Sequence, residues 1–258
     1  MKMPVLFVGH GSPMNAIQEN AFTRCLGELG ERLPEPKAVC VISAHWVTRG
    51  CHVLGMGRPR TIHDFYGFPK PLYQVNYPAP GAVAEAKRLA MEQHLNVDHE
   101  WGLDHGAWSV LRHMYPQANV PVFQVSLDHE KTFAEHVALG KELQKLRERG
   151  VLILGSGNVV HNLHKINWEM PNAGYGWAEE FDAKVKRAME ERDLEGLAAP
   201  EHWGGALLGE AHPTLEHYAP VLYCMGAAAE TDEVSFPYEG MEFGTISMRM
   251  AMLESRAA

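Results

Sequence analysis

Val5-Leu6-Phe7-Val8-Gly9-His10-Gly11-Ser12-Pro13 is the stretch from which the fold can be read. Its four leading apolar residues, three of them β-branched or aromatic, have the character of a short buried strand. The strand stops at Gly9, and Ser12-Pro13 forces a turn after a histidine held between two glycines. In an open α/β sheet, the carboxyl end of a strand faces the crevice where ligands bind. Taken alone, His10 could equally be a histidine bonded to a turn carbonyl. Working outward, residues 21–33 carry Phe22, Cys25, Leu26, Leu29 and Leu33 at helical spacing, and Pro34 and Pro36 end the run. Ala38-Val39-Cys40-Val41-Ile42-Ser43-Ala44-His45-Trp46 then repeats the opening design, an apolar strand with a histidine at its end. Strand, helix and buried strand predict a parallel βαβ unit. Both strand ends then share one rim, which brings His10 and His45 together.

Further along, residues 51–56 read as a strand and residues 57–81 as a long loop. The loop carries His63, Phe65, Tyr66 and Phe68. A loop of that length inside a domain usually has work to do at a binding site. A helix follows over 82–94. Asp104 is placed to cap a short helix reaching Met114, with His105 in its first turn. A strand over 121–127 and an amphipathic helix over 131–149, stopped by Gly150, lead to Val151-Leu152-Ile153-Leu154. That strand runs through Gly155-Ser156-Gly157 toward His161. A helix over 176–191 and a looser segment to about 210 precede residues 212–228, where an apolar helix is expected to open at His212–Pro220. Strands over 233–237 and 244–252 close the chain. No repeat or composition break divides it. The expectation is one α/β domain over residues 1–258, with a central mostly parallel or mixed sheet flanked by helices.

The chain has 258 residues, 46% of them hydrophobic and 21% charged, enough for a sizeable core without staples. A net charge of −9 argues against nucleic acid or an anionic membrane as partner. The N-terminal apolar run is too short for a signal peptide and no stretch is long enough for a membrane span. The four cysteines form no CxxC pair and read as reduced thiols, so a cytoplasmic protein is expected. Homo-oligomerisation is left open.

Fifteen histidines are the compositional oddity. HExxH is absent, and His161 with His164 makes only an i, i+3 pair. The better candidates are dispersed at element ends: His10, His45, His161 and His217, with His105 close behind. A metal site needs such imidazoles to converge from a rigid frame. On spacing alone, a shared metal and a scatter of structural histidines both remain open. Ser12, Ser43 and Ser156 lack the GxSxG elbow, no cysteine has a nucleophile's context, and Gly155-Ser156-Gly157 lacks the phosphate-loop spacings.

Seven ordered segments resolve the choice by resemblance: GHGSPMN (9–15), VISAHW (41–46), TIHDFYGFP (61–69), NYPAPG (76–81), GLDHGAW (102–108), GSGNVVHNL (155–163) and PTLEHYAPVLY (213–223). Together they resemble the 4,5-DOPA extradiol dioxygenase family, within the class III extradiol ring-cleaving dioxygenases, from about residue 4 to residue 250. The resemblance implies that His10, His45 and His217 are metal ligands. It implies that His161 is the acid/base, close enough to join the metal shell, and that His105 faces dioxygen and substrate. Glu216 is the competing carboxylate. The implied cofactor is Fe(II), with Zn(II) able to occupy the same donors. The implied reaction is O2-dependent 4,5-cleavage of a catechol such as 3,4-dihydroxyphenylalanine to a seco semialdehyde. His63, Phe65 and Tyr66, with Phe68, are the expected wall facing the ring. The glycines beside His10 are expected to let metal and ring approach the backbone. The rival readings are a zinc hydrolase built on the same histidines and a non-enzymatic binding protein of the same fold. His52, His94, His99, His113, His129, His136 and His202 are assigned to surface or structure, and His63, His164 and His212 stay undecided.

Overall fold

The computed structural model describes residues 2–255. Its strands are β1 (Val5–Gly9), β2 (Ala38–Thr48), β3 (His52–Leu54), β4 (Asn96–Asp98), β5 (Val122–Asp128), β6 (Val151–Gly157), β7 (Asp232–Ser235), β8 (Met241–Glu242), β9 (Ile246–Ser247) and β10 (Met250–Ser255). The helices are α1 (Ala21–Arg32), α2 (Lys70–Tyr73), α3 (Val83–Gln93), α4 (His105–Met114), α5 (Phe133–Glu148), α6 (Gly176–Glu191), α7 (Leu194–Ala198), α8 (Gly205–Ala211) and α9 (Ala219–Ala227). Eight strands form one mixed sheet in the order β4-β3-β5-β2-β6-β1-β10-β7. The centre, β5-β2-β6-β1, is parallel, and β10 and β7 extend it antiparallel.

Strand alternation explains why the central strands are apolar throughout. Val5 and Phe7, Cys40 and Ile42, and Val151 and Ile153 face the layer built on α3, α5, α6 and α9. Leu6 and Val8, Val39 and Val41, and Leu152 and Leu154 face the layer built on α1 and α4. Asn20 caps α1 by accepting from the Thr23 amide, while the Thr23 hydroxyl accepts from the Asn20 amide. Asp104 caps α4, as expected, by accepting from the Ala107 amide.

Four expectations need correction. β1 and β2 are parallel, but β6 is inserted between them, so the first crossover skips a strand. β2 does not end at His45 but continues to Thr48, and its register against β5 breaks between Ile42 and Val47. His45 therefore sits in an irregularity that aims its side chain away from the regular pleat. The helix expected from about residue 212 starts only at Ala219. Pro220, lacking an amide hydrogen, is confined to its first turn, which leaves His217 on the preceding turn. The strand expected over 244–252 is divided into β9 and β10, because β9 pairs with β8 while β10 pairs with β1 and β7. The looser segment before residue 210 holds the short helices α7 and α8. Among the described residues, no helix is long and apolar enough to cross a membrane.

Candidate metal centre and catalytic site

At the carboxyl rim of β1, β2 and β6, three imidazoles converge. One donor nitrogen each from His10, His45 and His217 lies within 4.8 Å of the others, and Nε2 of His10 is 3.1 Å from Nε2 of His45. Each opposite ring nitrogen is engaged elsewhere. His10 Nδ1 is 3.1 Å from Ser156 Oγ, which itself donates to the Gly106 carbonyl at 2.6 Å. Because that hydroxyl's hydrogen is committed to Gly106, Ser156 can only accept from His10, which leaves His10 Nε2 as a bare lone pair. His45 Nδ1 lies 3.3 Å from Asp64 Oδ2, and His217 Nδ1 lies 3.1 Å from Glu216 Oε1. His217 Nε2 is buried with no hydrogen-bond partner among the described residues. An orphaned buried nitrogen facing two other imidazoles fits a divalent metal, and the partners behind the rings fit the usual support of histidine ligands.

Burial, reinforced by the neighbouring histidines, holds His10, His45 and His217 well below the ordinary histidine range. They are therefore neutral, as ligands must be. Burial, then His212 and His105, pushes His161 down to about 3. His161 is not among the converging donors. Its ring stacks on His217 with centroids 3.5 Å apart and planes 5° from parallel. It stands beside the centre as a neutral imidazole, and three of the four expected metal ligands form the cage.

His105, in the first turn of α4, has its ring centroid 3.9 Å from that of His45 and 5.4 Å from that of His10. Asp64 fixes it twice, accepting from the His105 amide and from Nδ1, each at 2.8 Å. Burial alone would raise the Asp64 carboxyl, but the hydrogen bonds and charge of His105, with His45, bring it down to about 2. Asp64 is thus an anion bridging two imidazoles, and it ties the loop at 57–81 to the site. Sequence reasoning missed it, although it lies inside TIHDFYGFP between two residues that were chosen. Ser156 was weighed only as a nucleophile and as part of a phosphate loop. Its position two residues beyond Leu154 on the face toward α4 was the available signal.

The loop residues divide. Phe65 meets the His105 ring edge-on at 5.5 Å. His63 packs its ring against Phe65 and Trp108 and donates from Nε2 to the Val75 carbonyl at 2.9 Å, which pins the loop. Phe68 packs on Phe65 at 5.3 Å. Tyr66 does not join them and is 91% exposed. The glycines beside His10 leave no room for a side chain. A Cβ on Gly9 would fall 2.5 Å from the Ser247 carbonyl oxygen, and Gly11, at φ +61°, would meet Met248 Sδ. Of the undecided histidines, His212 is buried and donates to the Val159 carbonyl at 2.6 Å.

Comparison with known proteins agrees with this geometry. The family described as the catalytic LigB subunit of aromatic ring-opening dioxygenase matches residues 4–251. A protein of Escherichia coli (strain K12) named 4,5-DOPA dioxygenase extradiol is 44% identical over 96% of this chain and 93% of its own length. A protein of Beta vulgaris with the same name is 35% identical over 93% and 92%. A crystal structure of an uncharacterized protein from Escherichia coli K12 superposes with a TM-score of 0.85 at 38% identity, covering 98% of this chain and all of that one. Family match, sequence identity and fold extend over nearly the whole chain, which belongs to the family of the catalytic LigB subunit of aromatic ring-opening dioxygenase.

Proposed function

We propose that residues 1–258 form one catalytic unit that opens the ring of a catechol such as 3,4-dihydroxyphenylalanine by O2-dependent 4,5-cleavage. The carbon–carbon bond beside the diol breaks, and both oxygen atoms enter a product carrying a carboxylate and an aldehyde. The observation that supports this best is the convergence of His10, His45 and His217, with His161 stacked on His217 and His105 against His45. Fe(II) is the metal proposed for activity, with Zn(II) a competitor for the same three nitrogens. A bound ferrous ion would hold catechol and dioxygen next to each other and allow electrons to pass between them. The chain's own residues do the rest. His161, neutral and beside His217, accepts a catechol hydroxyl proton and returns it when the oxygen–oxygen bond parts. His105, locked by Asp64, presents its Nε2 to the reacting pair. Phe65 supplies an edge for the substrate ring.

Three neutral imidazoles are also a zinc hydrolase's ligand set. Anaerobic Fe(II) loading followed by oxygen uptake and product spectra over a panel of catechols separates the two. Uptake with a yellow ring-opened product is expected, and no uptake with any catechol overturns the reading.

A further inference from the structure

The short hairpin of β8 and β9 places one carboxylate beside the site. Glu242 pairs with Ile246 in antiparallel register, and Ile246 forms an antiparallel bridge with His161. Residues opposed across antiparallel strands project to the same face. Glu242, Ile246 and His161 therefore form one row, with Glu242 two strand spacings, about 10 Å, from His161 along the backbone. The face is the one that carries the metal centre. Ile246 and Met248 belong to the core layer built on α1 and α4, and Met248 lies against Gly11, next to His10.

Glu242 is half-buried, and its carboxylate has no hydrogen-bond or ion-pair partner among the described residues. Its charge is felt by the Tyr238 phenol, and burial raises its own carboxyl to about 7. A carboxylate in such a place gains from a cation arriving with the ligand. His10, His45, His161 and His217, held below the ordinary histidine range by burial, offer it no charge of their own.

We propose that Glu242 receives the ammonium group of an amine-bearing catechol whose diol is directed at the histidine cage. The assignment rests on the ring-cleaving reading above. The 3,4-dihydroxyphenylalanine of that reading already carries such an amine on a short aliphatic arm, and Glu242 is the residue that selects for it. Glu242 acts on binding and orientation and takes no part in bond making.

The test is selectivity within one variant. Glu242→Gln keeps the side chain's shape and removes its charge. With dopamine and 4-methylcatechol as substrates of the Fe(II)-loaded enzyme, the variant is expected to lose about tenfold in kcat/KM for dopamine, mostly in KM, and to stay within about twofold for 4-methylcatechol. Calorimetric titration with tyramine and 4-cresol, which cannot be ring-opened, should show the same loss of amine preference. The ratio within one preparation is insensitive to any misfolded fraction. Equal weakening toward both members of either pair, or an unchanged preference for the amine, overturns the proposal. Failure of the wild type to open any catechol overturns the reaction instead, and the titration still decides whether Glu242 holds the amine.

Discussion

Ring orientation at the centre is decided by what stands behind each histidine. Ser156 accepts from His10, Asp64 from His105 and Glu216 from His217, and Asp64 also stands 3.3 Å from Nδ1 of His45. With three imidazoles in place of two and a carboxylate, the cage itself carries no negative charge. Asp64 and Glu216 return it behind the rings of His45 and His217, where it makes the imidazoles more basic toward a cation. Asp64 serves both His45 and His105, so its charge matters more than its shape. Asp64→Asn is expected to lower kcat/KM by about 10- to 100-fold, with the thermal midpoint nearly unchanged. Steady-state kinetics beside a melting curve checks it, and a matching collapse of the midpoint would mean that Asp64 serves the fold. His10, His45, His105 and His161 were legible because each follows an apolar strand or opens a helix, and His217 because it adjoins the apolar run that becomes α9. Their supporting acceptors were harder to read: Ser156 offered only its alternation with Leu154, Glu216 was weighed only as a ligand, and Asp64 had no spacing signal of its own.

Elements bring those residues together by contacts that periodicity only partly reveals. β1, β2 and β6 were readable as buried strands, and their parallel alignment correctly predicted that His10 and His45 meet. The insertion of β6 between them was not readable, since β1, β2 and β6 have equivalent apolar patterns and pairing order leaves no local mark. α5 and α9 show the same limit. Where they cross, a Cβ on Gly140 would lie 2.5 Å from the Tyr223 carbonyl oxygen, and one on Gly226 would lie 2.3 Å from that of Val137. The helices touch backbone to backbone, and α9 is the element that follows His217. Gly140→Ala gains helix propensity but forces the helices apart. A net loss of about 1–3 kcal/mol is expected, seen as a lower midpoint in urea or heat. A rise in stability would show that α9 can slide without cost.

At the scale of the whole molecule, Arg147 joins the two ends of the chain. The side chain is fully buried at the end of α5. It donates from Nε to the Met3 carbonyl at 2.6 Å, and from Nη1 to the Ala227 carbonyl at 3.1 Å and to Asp232 at 2.5 Å. Asp232 also accepts from the Ala229 amide and the Ser255 hydroxyl. One ion pair thus links the strand that delivers His10, the helix that follows His217, and the last two strands of the sheet. Removing either partner leaves a buried charge alone, so Arg147→Met or Asp232→Asn should each cost about 3–5 kcal/mol. Burial opposes ionisation of Asp232, but Arg147 and the Ala229 amide hold its carboxyl below the ordinary range. The unfolded chain therefore takes up a proton before the folded one does. The pair's stabilisation is complete above the unfolded carboxyl's pKa of about 4 and disappears as pH falls through the lower folded value. In Asp232→Asn that step should vanish from the acid limb of a stability–pH curve. The double variant Arg147→Met/Asp232→Leu should recover much of the single-variant loss, because it strands no charge. Denaturant midpoints for the four proteins across pH 3 to 7 check both claims, and simple addition of the two single losses would remove Arg147 from its place as the joint of the fold.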